Sequence, residues 1–103
     1  WGAFQRLIEL LVSRDNELMV MLGPLNRHIM SAQNQSVFDD RVATVTQWLE
    51  RRKIQFVAPE TLPFNLYGDA SHPLTEGYRQ LAEGLWSDER FRGWLNQPLG
   101  KER

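Results

Sequence analysis

Leu18-Met19-Val20-Met21-Leu22-Gly23-Pro24 decides how the chain is read. Five apolar residues follow one another without alternation, the pattern of a strand covered on both faces in a parallel sheet. Gly23-Pro24 ends the run, because proline cannot donate to a ladder. Ile54-Gln55-Phe56-Val57 is a second such strand, stopped by Pro59. Between the two, residues 37–52 have the helical period. Phe38, Val42, Val45, Trp48 and Leu49 share one face, Ser36 offers an N-cap, and Asp39-Asp40 lies in the first turn. Arg51-Arg52-Lys53 then reads as a solvated helix end that suits the helix dipole. A buried strand, a helix and a buried strand predict a right-handed crossover between parallel neighbours.

Outward from this unit the chain is helical. Phe4, Leu7, Ile8, Leu11 and Val12 give residues 3–14 one apolar face, and Asp15-Asn16 supplies the turn. Downstream, Pro73 suits a first helical position, and Leu74, Tyr78, Leu81, Ala82 and Leu85 form the core face of that helix. Ser87 caps a short last helix carrying Phe91, Trp94 and Leu95, and residues 97–103 read as a fraying tail. The order is α-β-α-β-α-α, an α/β class. Two parallel strands are too few for an independent sheet. Residues 1–96 are therefore expected to be the C-terminal half of a larger domain whose other strands lie upstream. The opening at Trp1 instead of Met fits that expectation. Assembly into an oligomer is the other way to cover the strand edges.

Composition narrows the class. The chain has 103 residues, 24% charged and 42% hydrophobic, which fits one globular domain and excludes collagen-like, coiled-coil and disordered classes. Twelve basic and thirteen acidic residues give a net charge of −1, and no like-charge block exceeds three residues, so no nucleic-acid partner is indicated. With no Cys there is no disulfide framework, thiolate site or Cys nucleophile, and the compartment stays open. The longest apolar run, Leu18 to Leu22, is far short of the roughly 20 residues of a membrane span.

Sites on open α/β sheets collect at the C-terminal strand ends. Here those ends carry two long polar loops, 23–35 and 58–72. Asn26 is a candidate for lining a pocket there, against the alternative of an Asn bonding its own turn. His28 lacks a partner at metal-ligand spacing, so no metal is expected. The most informative stretch is Tyr67-Gly68-Asp69-Ala70-Ser71-His72-Pro73. Asp69 and His72 are three apart. A carboxylate beside an imidazole is what a hydrolase uses to fix the ring tautomer and to stabilise the imidazolium. Pro73 places His72 near a helix N-cap, where the dipole favours a neutral ring able to act as a base. The competing reading is an Asp that only caps the turn.

Asp69 through Ala82 (Asp-Ala-Ser-His-Pro-Leu-Thr-Glu-Gly-Tyr-Arg-Gln-Leu-Ala) resembles the last conserved block of the SGNH, or GDSL-type, hydrolases. That block reads Asp-x-x-His-Pro, followed by a Gly-Tyr and a Leu-Ala opening the final helix. The resemblance implies the C-terminal part of a flavodoxin-like three-layer α/β/α parallel sheet. It also implies a serine ester hydrolase acting on an ester or a carbohydrate O-acyl group, with Asp69 and His72 as catalytic residues and no cofactor. The family's Gly-Asp-Ser nucleophile block and its Gly-x-Asn-Asp are absent here. Gly68-Asp69-Ala70-Ser71 only echoes the first, because a triad needs converging segments and Ser71 lies between its own partners. The nucleophile is thus expected on a missing N-terminal part of the same protein, and these 103 residues alone are expected to be inactive. The alternative is a non-catalytic binding or structural domain on a hydrolase-like scaffold.

Overall fold

The structure is a computed structural model and describes residues 1–98. Helix α1 spans Gly2–Ser13, strand β1 Met19–Met21, helix α2 Ala32–Arg51, strand β2 Gln55–Val57, helix α3 Thr75–Ser87 and helix α4 Glu89–Leu95. Single 3-10 turns at Arg27–Ile29 and Phe64–Leu66 interrupt the two long loops. Strands β1 and β2 pair in parallel, with Met19 opposite Gln55, Val20 opposite Phe56 and Met21 opposite Val57. The adjacent, parallel pairing agrees with the reading of the two apolar runs.

The flavodoxin-like three-layer α/β/α sheet does not form. Among the described residues the chain is mostly helical, four helices around a two-stranded sheet. The reason is visible along the chain. Strand-like apolar character is confined to residues 18–22 and, interrupted by Gln55, 54–57, and the other apolar residues recur at helical spacing or sit in the proline-broken loops. No further stretch can extend the ladder. The expectation of two fully buried strands fails as well. Phe56 and Val57 are buried, but Met19 and Val20 are half-buried and Met21 is 45% exposed.

The core lies between α1, α2 and the sheet. Ile8, Trp48, Leu49 and Phe56 form it, with Phe4, Leu18, Val20, Val45 and Ile54 packed around them. Leu49, at its centre, is completely enclosed. Trp1 and Phe4 extend this cluster as ring contacts to Trp48, at 5.6 and 6.1 Å between centroids. The Arg52 guanidinium lies over the Trp48 ring and pairs with Glu9.

Helix α2 begins five residues earlier than its apolar face suggests. Ser31, not Ser36, is the cap, its hydroxyl accepting from the Asn34 N–H at 3.2 Å. Gln33 and Asn34 are tolerated there because they face solvent in the first turn, and Gln35 because its half-buried Nε2 donates to Arg27 O and Met30 O at 3.0 and 3.3 Å. At its other end Lys53 adopts φ 57°, a left-handed position usually taken by glycine. The N–H of Ile54 then bonds Leu49 O and that of Lys53 bonds Glu50 O, both at 3.0 Å, which turns the chain into β2. The last helix is capped by Asp88, not Ser87, through an Asp88 Oδ1 bond from Phe91 N–H at 3.0 Å. Of the tail, residues 99–103 lie outside the described residues. No described helix is long and apolar enough to cross a membrane.

Candidate functional site

The loops leaving β1 and β2 are tied together by side chains, and this carries the 67–73 turn to the strand ends. Tyr67 is buried. Its hydroxyl accepts from Leu62 N–H at 3.1 Å and reaches the carbonyls of Pro24 and Leu25, each at 3.2 Å. His28 Nε2 lies 2.8 Å from Leu62 O, and a carbonyl can only accept, so this ring carries its proton on Nε2. The Thr61 hydroxyl donates to Leu25 O. His28 is thereby a strut between loops, and no group of three His, Asp or Glu among the described residues is placed to hold a metal ion.

The turn itself is closed by backbone bonds. Tyr67 and Pro73 form an antiparallel bridge, Gly68 N–H donates to His72 O at 2.8 Å, and Leu74 N–H donates to Leu66 O at 2.7 Å. Helix α3 then starts at Thr75, so Pro73 belongs to the bridge and His72 stands ahead of the N-cap Leu74. The expected help from the helix dipole falls away, since that field fades outside the first turn. Gly77 lets the helix approach the turn. A Cβ there would stand 2.7 Å from Leu66 O and 2.9 Å from Pro73 Cβ, too close for any side chain without a backbone shift.

Inside the turn, Asp69 gathers three donors. Its Oδ1 accepts from the N–H groups of Ser71 and His72, both at 2.8 Å. Both carboxylate oxygens stand 2.9 Å from His72 Nδ1. A carboxylate favours the tautomer with the proton on Nδ1, which leaves the Nε2 lone pair available. Among the described residues nothing bonds that Nε2, and the His72 side chain is 72% exposed. Ser71 Oγ lies 3.2 Å from Nδ1, the nitrogen already held by Asp69, and so has no route to the free lone pair.

No family model, no curated protein and no solved structure matches the chain. What the arrangement can do therefore rests on its own geometry. The Ser71 N–H bond first, then the His72 side chain and the His72 N–H, hold the Asp69 carboxyl down at about 2 from an ordinary 3.8. A depressed carboxyl stabilises the turn fully above its unfolded value, and that contribution is lost as the pH falls through the folded value. The amide resonances of Ser71 and His72 should thus stay nearly constant on acidification through the ordinary carboxyl value of 3.8 and move with a midpoint at about 2. Movement centred at the ordinary carboxylate value would show that the three donors are not gathered in solution.

The structure places Asn26 against this pair, but beneath it. Asn26 is 4% exposed, its N–H donates to Ala70 O at 3.0 Å, and its side-chain Nδ2 lies 3.4 Å from Asp69 O. A hollow of about 330 Å³ opens beside Ser71 and Pro73, with Met21, Leu25, Tyr78 and Leu81 on its apolar wall. The larger hollow, about 570 Å³, lies on the α2 side of the β1 loop around Arg27 and Asp39 and does not touch the pair. The sequence reading gave Tyr67 no contact to make, and it met Gly77 only as the Gly of the Gly-Tyr in the SGNH-type block. A tyrosine in a polar loop and a glycine inside a helical face were the signals of their packing roles.

Proposed function

We propose that the chain carries the orienting carboxylate and the general base of a serine ester hydrolase, acting on an ester or a carbohydrate O-acyl group. One observation carries the reading: Asp69 holds His72 by Nδ1 and leaves Nε2 unpaired on an exposed ring. The resemblance of residues 69–82 to the last SGNH block supports the same assignment.

In this reading a serine hydroxyl comes within reach of Nε2. His72 accepts its proton as the oxygen attacks the carbonyl carbon, and Asp69 stabilises the imidazolium that forms. Collapse of the tetrahedral intermediate expels the alcohol, which takes the proton from Nε2. Water then repeats both steps on the acyl-enzyme and releases the acid. Among the described residues no serine is placed at Nε2, so the nucleophile and the oxyanion donors come from chain outside these 103 residues. The apolar hollow beside Ser71 is suited to the acyl part or to the chain that brings the serine.

The test is covalent. A serine-directed fluorophosphonate should label the full-length protein at a serine outside residues 1–103, and His72→Ala should slow that labelling. Absence of label on the folded protein would favour a non-catalytic binding domain, in which Asp69 is a turn cap.

A further inference from the structure

We propose that Asn26 is the positioning residue of the Asp69–His72 pair, its side-chain amide holding the Asp69 carbonyl and its backbone N–H the Ala70 carbonyl, so that the Asp69 carboxylate is set against the Ser71 N–H and the His72 ring. The proposal rests on the reading of that pair as orienter and base. Asn26 lies 43 residues before Asp69, on the loop after β1, and reaches two successive carbonyls of the turn. Its backbone N–H takes Ala70 O at 3.0 Å, and its Nδ2 points at Asp69 O at 3.4 Å. Holding Ala70 O fixes the 70–71 peptide, whose other end is the Ser71 N–H at 2.8 Å from Asp69 Oδ1, and holding Asp69 O fixes the backbone from which the carboxylate itself departs.

The other half of the amide shows what the residue is for. Asn26 Oδ1 is buried and has no hydrogen-bond partner among the described residues. A buried acceptor without a donor is unfavourable, and an apolar side chain of the same size would avoid that cost. Reversing the amide would set Oδ1 against the Asp69 carbonyl, oxygen against oxygen, so the orientation is fixed by the donor. Asn26 is also absent from the walls of the two hollows that flank the β1 loop. It therefore acts through Asp69 and not on a bound molecule.

Leucine is close to asparagine in size and carries no polar atom. In the full-length protein, Asn26→Leu should keep or raise the melting temperature, because the orphaned Oδ1 is gone. The Asp69 carboxyl, followed by carbon-detected NMR, should nevertheless titrate higher than its present value of about 2. The His72 Nδ1–H resonance should weaken through faster exchange with water. Asn26→Ala, which keeps the backbone bond to Ala70 O, should show the same titration shift. A folded Asn26→Leu or Asn26→Ala protein with an unmoved Asp69 midpoint would overturn the proposal. Loss of the fold in both variants would do so too, by making Asn26 a purely structural residue. No substrate enters these measurements. An inactive protein would sink the hydrolase reading and leave the Asn26 result standing.

Discussion

His72→Ala in the full-length protein is expected to lower turnover of a simple ester by roughly 10³-fold or more. By the usual conversion this is about 4 kcal/mol of transition-state stabilisation. The expectation follows from the free Nε2: no other imidazole or carboxylate among the described residues stands where it could take the proton. His28, the other histidine, has its Nε2 committed to Leu62 O. Asp69→Asn separates orientation from charge. An Asn at 69 could still accept from the N–H groups of Ser71 and His72, so the turn would hold. Its amide would face Nδ1 with a donor, which favours the tautomer with the proton on Nε2 and removes the base. The loss should be comparable with or smaller than that of His72→Ala. Neither change should move the melting temperature much, because the two side chains are 72% and 59% exposed and touch only the turn. Full esterase activity in His72→Ala would end the hydrolase reading. A large fall in stability would instead assign the pair to holding the loop.

What the sequence made legible depended on how local the cause was. The parallel pairing of β1 with β2 could be read because two short, mainly apolar runs flank one amphipathic helix. The Asp69–His72 contact could be read because both partners lie three residues apart in one turn. The starts of α2 and α3 could not, because a cap depends on which oxygen reaches which N–H. Ser31 and Ser36 offer the same chemistry at either end of a polar stretch. The sheet was over-read. The chain has two strands' worth of apolar sequence, and a three-layer sheet needs more than residues 18–22 and 54–57 can supply. The contacts of Tyr67, His28 and Asn26 across 34 to 43 residues were out of reach, since only the folded loops bring these groups together.

The 103 residues, produced alone, should self-associate or melt without a sharp transition. The radius of gyration is 15.5 Å, where a chain of this length in a compact domain has about 13 Å. The accessible surface is 7639 Å², against about 6,000 Å² for a folded monomer of this mass. The excess is on the order of 1,000 Å², the scale of a stable interface. Its location is readable. Leu22 N–H bonds Val57 O, so alternation along a parallel ladder turns the N–H and C=O of Met19 and Met21 away from β2, onto an edge with no described neighbour. Met21 and Tyr78 stand exposed in the apolar hollow beside that edge. An open edge with an apolar flank is a template for another strand, whether from a second copy or from further chain. Sedimentation should therefore show dimers or larger species. Met19→Pro should reduce them, because proline at the first residue of an edge strand removes a donor that β2 does not use. A monodisperse 12.1 kDa monomer with a steep cooperative melt would show that the open edge needs no partner.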